Sequence, residues 1–477
     1  MTAKILQNKW LNFVIKHKFE FSLGLCSLLV FLSGIWSPFV YFACTVVSIT
    51  YLFSKPDEVL CGLLYFVFFS VARVFFMFNL CAGLASLIIN YIIQVKRKEN
   101  KVYLFPLILT TAMLAFYSII HYEVGFSGFE QGSLIIAIFY ASYLFFCLHK
   151  SMDFQKAIDY MALGLLASTI LGAIALLIPT YKYFIYFIDE YFSRLQLFSA
   201  HTNHLSMNCL FLIAFEIYNL INRKSRFLKC ALVIIFAMVV GFMTMSKAFI
   251  VILVGFVAYL SIWLIKKYKL KSFRVIIPIL IVFVVACFVF KDFMKNIIER
   301  FFVYNSDKSI INKFTTGRSQ IWFTYMDMIR SSVPKMLFGV GLFTNELIPI
   351  GSHNIYLYIL SRFGFIGIVL IAVLIYSYIK NSSGGLKIKY DNMLPFLTYL
   401  ILGIEEMIFS ERFFIFFIVS VVFMVDAKSA NETDESYTAF DNLINKNIKF
   451  NEFAKKLTKV SPTIQKSSSK TSKNKAD

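Results

Sequence analysis

The chain has 477 residues, of which 59% are apolar, 18% aromatic and only 16% charged, with a mean hydropathy of +0.72. Soluble domains carry roughly 45–50% apolar and about 25% charged residues, so a soluble globular protein is excluded, and the apolar excess falls in blocks of 14 to 25 nearly uncharged residues. The formal charge of +20, from 47 Lys and Arg against 27 Asp and Glu, would point to nucleic acid in a soluble protein. In a polytopic membrane protein it is first a matter of which side the cations occupy.

In chain order the blocks predict spans near 19–36, 38–53, 59–77, 79–95, 102–120, 132–148 and 157–178. A second set follows near 205–221, 228–244, 248–265, 274–290, 355–379, 393–409 and 412–425. Backbone polar groups cannot stay open in lipid, so each block is expected to be helical. The fold class is therefore all-α, a polytopic membrane bundle of about 12–14 helices that each approach the length needed to cross a hydrocarbon core of about 30 Å. The first block lacks a small-residue cleavage site and runs straight into the second, which reads as a retained helix and not a removed leader. The 59–95 stretch has almost no loop and carries Arg73.

With the amino terminus in the cytoplasm, Lys and Arg fall inside at 1–18 (four), 54–58 (one), 96–101 (four), 149–156 (two), 222–229 (four), 266–274 (five), 380–391 (three) and 426–477 (ten). That is 33 of 47, and it orients the chain with both ends inside. The expected organisation is a cytoplasmic amino terminus (1–18), a membrane domain (19–425) and a Lys- and Ser-rich, largely disordered cytoplasmic tail (426–477). Two long connections, 179–204 and 291–354, stand on the outer face, and loops of that size are usually functional.

The larger loop begins with Phe293, Ile297, Ile298, Phe301 and Phe302 at helical spacing opposite Lys295, Asn296, Glu299 and Arg300, an interfacial amphipathic helix. A polar stretch, Asn305 to Lys313, precedes a second helix expected from about Ser319 to Ser332 and stopped by Pro334. Gly339-Val340-Gly341 reads as a flexible turn, and Ser352-His353-Asn354 stands where the next span begins.

The eight cysteines lie in or beside spans without CxxC spacing, and there is no Walker loop, no GxGxxG after a strand and no HExxH. No cofactor or metal site is expected, and an ATP-driven pump is disfavoured. Charges inside apolar blocks are costly and mark cavities or partners. Arg73, Lys247, Arg362, Glu405 and Glu406 all fall toward the outer ends of their blocks, whereas Glu216 lies near an inner end. The polar cavity should therefore open outward.

Arginine forks match phosphate oxygens, so such a cavity suits an anionic lipid head group. A pyrophosphate-linked lipid carries its own leaving group, and the protein then needs cations for the departing diphosphate and one base. His353 is the outer-face base, since an imidazole titrates near pH 6.5.

These residues carry a family resemblance. Gly317-Arg318 with Trp322, then Gly339-Val340-Gly341, then His353-Asn354 with Gly364 and Gly367 downstream, resemble the O-antigen ligase and O-antigen/capsule polymerase superfamily. Arg194 with His201-Thr202-Asn203 resembles that family's arginine followed by a Pro-Asn pair, and Thr244-Met245-Ser246-Lys247 its Thr-x-Ser-Arg signature. Thr202 replaces the usual proline and Lys247 the usual arginine, which removes a bidentate fork at 247. The resemblance runs from about 190 to 370, and hydropathy extends it over the membrane region.

It implies a GT-C-like membrane glycosyltransferase, inverting and independent of metal and nucleotide sugar. Its site would face outward from the bacterial plasma membrane and move a glycan from undecaprenyl diphosphate to an acceptor hydroxyl. Arg194, Arg318 and Lys247 would bind the diphosphate and His353 would act as base, with Arg73, Arg362, Glu405 and Glu406 as cavity charges. The expected partners are the lipid-linked donor, a glycan acceptor, membrane lipids and, as a further candidate, a chain-length regulator; no nucleic acid is expected.

The leading expectation is a polysaccharide polymerase. A ligase using a different acceptor and a lipid-linked oligosaccharide flippase are the alternatives, the flippase disfavoured by the lack of internal repeats. Blander roles stand beside each residue: a helix-start cap for His353, a loop-helix cap for Arg318, an interfacial snorkel for Arg194, a turn residue at Lys247, and structural pairs of Arg73 and Arg362 with Glu405, Glu406 or Glu411.

Overall fold

The structure is a computed structural model that describes residues 17–120, 126–181, 185–188, 193–222, 225–273, 318–343, 353–383, 392–405 and 414–425, with isolated positions 277, 291, 295 and 299. The helices are α1 (Lys18–Leu32), α2 (Phe39–Leu52), α3 (Pro56–Tyr65), α4 (Arg73–Lys96), α5 (Leu104–Ile119), α6 (Phe126–Leu148) and α7 (Phe154–Ala175). After them come α8 (Thr202–Asn222), α9 (Phe227–Met243), α10 (Lys247–Tyr268), α11 (Arg318–Arg330), α12 (Val333–Phe338), α13 (Ile355–Ser383), α14 (Leu394–Glu405) and α15 (Phe414–Val425). Among the described residues six helices are long and apolar enough to cross a membrane, and five further apolar helices of 10–17 residues accompany them. The chain is a multi-pass helical membrane protein. The expected span 274–290, the amphipathic helix from Phe293, the polar stretch 305–313 and the tail lie outside the described residues.

The arrangement follows from which faces are apolar. α8 is the central helix, with 89% of its apolar window buried, whereas the windows of α4 and α10 are only 33% buried. On α9 the exposed Leu228, Leu232, Ile235 and Val239 recur at steps of four, three and four, one stripe turned to lipid. Small residues and buried polar bonds hold the helices together, because lipid tails supply no hydrophobic drive between them. A Cβ at Gly164 of α7 would fall on the Tyr65 backbone, so only glycine permits that approach. Tyr51 donates from its hydroxyl to Asn79 Oδ1 (2.7 Å), and Ser86 Oγ donates to the Tyr51 carbonyl (2.6 Å), tying α2 to α4.

Two expectations need revising. The block at 59–77 is not one helix: α3 stops at Tyr65, a 3-10 turn covers Phe66–Phe69, and α4 begins at Arg73. The interruption is stable because its backbone is paired from outside. Asn208 Nδ2 donates to the Val67 carbonyl (3.0 Å), the Val71 amide to the Phe198 carbonyl (2.7 Å), and the Ala200 amide to Ser70 Oγ (3.1 Å).

The second concerns Gly339-Val340-Gly341, which is a docked segment, not a flexible turn. α13 is broken at Gly364, with φ +60° and ψ −172°, and the break strips intrahelical partners from the preceding carbonyls. The Val340 amide takes the Ser361 carbonyl (2.8 Å), the Gly341 amide the Arg362 carbonyl (3.0 Å), and the Tyr117 hydroxyl the Phe363 carbonyl (2.7 Å). The Leu342 amide in turn donates to the Tyr117 carbonyl (3.1 Å). Pro334, expected to stop a helix, stands in the first turn of α12, where its missing N–H costs nothing.

Gly364 occupies a backbone region essentially reserved for glycine, and a Cβ there would meet the Leu337 carbonyl and the Gly339 amide. Gly364→Ala should therefore cost about 1–3 kcal/mol or more, seen as a lowered unfolding midpoint of the detergent-purified protein. Gly24→Ala, where a Cβ meets nothing within 4 Å, should leave the midpoint unchanged.

Candidate active site

The connection after α7 carries a short antiparallel pair, β1 (Tyr186–Ile188) with β2 (Ser193–Leu195), in which Phe187 faces Arg194. This ribbon is the one departure from an all-helical fold among the described residues. Along β2 Ser193 is exposed while Arg194 and Leu195 are buried, so the strand turns the guanidinium inward. The amides of Gln196 and Leu197 both reach the Ile185 carbonyl (2.8 and 3.0 Å), and Leu197, at φ +50°, redirects the chain toward α8.

Arg194 is 5% exposed, so it is not an interfacial snorkel. Its Nε donates to the Thr244 carbonyl (2.9 Å) and its Nη2 to Asn203 Oδ1 (3.0 Å). One guanidinium thus joins the head of α8 to the turn between α9 and α10. Thr244 shapes that turn: its hydroxyl donates to the Gly241 carbonyl (2.6 Å) and accepts from the Ser246 amide (3.3 Å), while Met245 adopts φ +50°. Lys247 then opens α10, buried.

Asn354 builds the head of α13. Its Oδ1 accepts from the amides of Tyr356 and Leu357 (both 3.0 Å), a side-chain N-cap. Its Nδ2 donates to the Ile404 carbonyl near the end of α14 (3.0 Å), and the Tyr356 hydroxyl donates to the Leu400 carbonyl (2.6 Å). The capping role that a helix-start residue could play is thus taken by Asn354. His353, half-buried, precedes it in a left-handed conformation, φ +46°, uncommon outside glycine.

Arg318 is the first residue of α11, which turns Ser319, Tyr325 and Ile329 inward and packs against α12 and α13. α14 packs on both α8 and α10, so the Asn354 bond to Ile404 ties the head of α13 to a helix that rests on that pair. The three candidate cations and the candidate base share one feature. Arg194 binds the first turn of α8, Lys247 and Arg318 begin α10 and α11, and His353 immediately precedes the cap of α13. Helix N-termini carry partial positive charge, so a cation at each of these positions adds to the local field for an anion.

The remaining expected residues stand elsewhere. Arg362 is fully buried and donates through Nη1 to the carbonyls of Gly341 (3.3 Å) and Leu342 (3.0 Å) and through Nη2 to Gln131 Oε1 (2.6 Å), with the Tyr358 ring 5.6 Å away. It holds the docked 339–342 segment. Arg73 opens α4 in an exposed ion pair with Glu130 (3.0 Å). Glu405 ends α14 with its side chain outside the described residues, and Glu406 lies outside them altogether. Gln131 and Tyr117, which complete the docking, carried no sequence signal beyond a polar or aromatic residue near a span end.

Residues 230–372 match the O-antigen ligase family. The matched stretch includes Lys247, Arg318, the 339–341 segment, His353 and Arg362, while Arg194 lies ahead of it. No curated protein and no solved structure matches the chain. The similarity to the O-antigen ligase family is confined to residues 230–372, less than half of the chain.

Arg362→Ala would leave two carbonyls and an amide oxygen without their charged donor in a buried site, a loss of about 3 kcal/mol or more. Arg73→Ala removes an exposed pair and should change stability by no more than about 1 kcal/mol. Thermal unfolding of the two variants side by side checks the contrast, and equal midpoints would contradict the assignment of Arg362 to the docked segment.

Proposed function

We propose that this chain is a polysaccharide polymerase that joins lipid-linked repeat units on the outer face of the bacterial plasma membrane. The observation that supports the reading is that Lys247 and Arg318 begin α10 and α11, His353 directly precedes the cap of α13, and Arg194 on β2 bonds to both the α8 head and the Thr244 turn. Basic side chains at positive helix ends favour a diphosphate, the leaving group of an undecaprenyl-linked donor. Both termini would lie in the cytoplasm, following the distribution of 33 of the 47 basic residues.

In the reaction the growing glycan's diphosphate lies against Arg194, Lys247 and Arg318. His353 accepts the proton of the incoming unit's hydroxyl as its oxygen attacks the anomeric carbon from the face opposite the diphosphate. The new glycosidic C–O bond forms as the anomeric carbon–diphosphate bond breaks, and undecaprenyl diphosphate departs with the electron pair. The configuration inverts. Arg194 can serve the charge only as an arginine, because its Nε and Nη2 reach two acceptors in different elements and a lysine has a single nitrogen to offer.

The name of the matched family favours a second reading, transfer of a finished glycan to a different acceptor. The products separate the two: a ladder of lengths on undecaprenyl diphosphate for the polymerase, glycan on a new anchor for the ligase.

Purified protein given a lipid-linked repeat unit should form longer products with a chelator present. His353→Ala should reduce turnover about 100-fold or more, the scale of general-base loss. Arg318→Ala and Arg194→Lys should each reduce it by at least about tenfold, with folding checked by thermal unfolding. Full activity in His353→Ala or in Arg318→Ala would sink the assignment.

A further inference from the structure

At the end of the bundle opposite the candidate active site, where α4, α5 and α6 end or begin, a cavity of about 250 Å³ opens between helix ends. Its walls include Gln94, Glu99, Asn100, Tyr103, Lys150 and Ser151. They are fixed by their own bonds. Asn100 Nδ2 donates to the Cys147 carbonyl (2.8 Å) and to Gln94 Oε1 (3.2 Å), and its Oδ1 accepts from the Lys101 amide (2.8 Å). The turn itself is closed by the amides of Glu99 and Asn100 on the Gln94 carbonyl (2.9 and 3.3 Å), with Lys98 at φ +59°.

The charge around this cavity is one-sided. Lys150 in the wall and Lys96, Arg97, Lys98 and Lys101, sequence neighbours of the lining residues, are exposed, against the carboxylates Glu99 in the wall and Asp153 two residues past Ser151, which makes five cations to two anions. Topological preference accounts for cations at this end, but not for a built polar cavity among them. Its depth is equally specific. Ile92 and Ile93, one turn before Lys96, and Leu104, Phe105 and Ile108, at the start of α5, are exposed apolar residues that face lipid. The cavity therefore stands where hydrocarbon gives way to head groups.

We propose that this cavity binds the head group of an anionic phospholipid of the phosphatidylglycerol type. The phosphate lies toward Lys150 and the Lys96–Lys101 turn, the glycerol hydroxyls are met by Glu99, Asn100, Tyr103 and Ser151, and the acyl chains run along the exposed apolar faces of α4 and α5. At about 30 Å³ per water the space holds roughly eight waters, comparable to a phosphoglycerol group of about ten heavy atoms. Glu99, which would repel a bare phosphate, becomes an acceptor for a polyol hydroxyl. This site is independent of the glycosyl transfer proposed above.

The test uses the full-length protein purified in detergent and exposed to vesicles of phosphatidylcholine alone, phosphatidylcholine with phosphatidylethanolamine, or phosphatidylcholine with phosphatidylglycerol. Lipid retained is read by native mass spectrometry, and the unfolding midpoint is measured with each mixture and with inorganic phosphate. The expected result is selective retention of phosphatidylglycerol and a raised midpoint. The triple variant Lys96→Ala/Lys101→Ala/Lys150→Ala, all exposed positions, should fold normally yet lose that preference by about tenfold or more, as expected from removing three cations at a charged interface. Equal retention of phosphatidylethanolamine, an unchanged preference in the triple variant, or the same stabilisation by inorganic phosphate alone would each overturn the proposal.

Discussion

A backbone carbonyl or amide left unpaired in a low-dielectric, water-poor bundle costs several kcal/mol, and the irregular segments at the candidate-site end are organised around that constraint. Three successive carbonyls, Ser361, Arg362 and Phe363, lose their helical partners where α13 breaks, and Val340, Gly341 and Tyr117 replace them. The turn between α3 and α4 is paired by Asn208, Phe198 and Ala200. Each break in a helix is thus answered by a segment distant in sequence, and non-helical backbone at this end survives because other protein covers it. Sites that need exposed helix heads and bent chain can then be built without leaving polar groups open to lipid.

The guanidiniums divide along the same line. Arg362 and Arg194 are both buried, but they bond to different things. Arg362 spends its donors on Gly341, Leu342 and Gln131, all parts of one docking contact. Arg194 bridges two elements that both carry family-like motifs, the Asn203 head of α8 and the Thr244 turn before Lys247. Burial alone does not separate the two arginines; the identity of their partners does. Arg73, exposed and paired with Glu130, belongs to neither group.

The two ends of the bundle are also chemically distinct. At one, single basic residues sit at helix N-termini, where the backbone adds to their charge. At the other, cations cluster on a short turn, Lys96 to Lys101, at the end of α4. A total of +20 does not reveal this division.

Much of the fold was legible from residue order. Runs of apolar residues bounded by charges mark where helices begin and end, because a hydrocarbon solvent leaves few other options for the backbone, and twelve of the fourteen expected blocks coincide with helix in the described residues, 59–77 being interrupted and 274–290 lying outside them. Arg194, Lys247, Arg318 and His353 were likewise visible as basic residues beside span ends. The partners of those residues were not visible. No periodicity announces that Arg194 meets Thr244 fifty residues on, that Tyr117 closes a break 246 residues away, or that Gly339-Val340-Gly341 docks on the break in α13. Local sequence determined which segments are helical and which side chains stand at their ends, since both depend on neighbours along the chain. Only the tertiary structure decided which ends meet and which arginine holds the scaffold, because those outcomes depend on pairing orphaned polar groups across a bundle that the chain order does not specify.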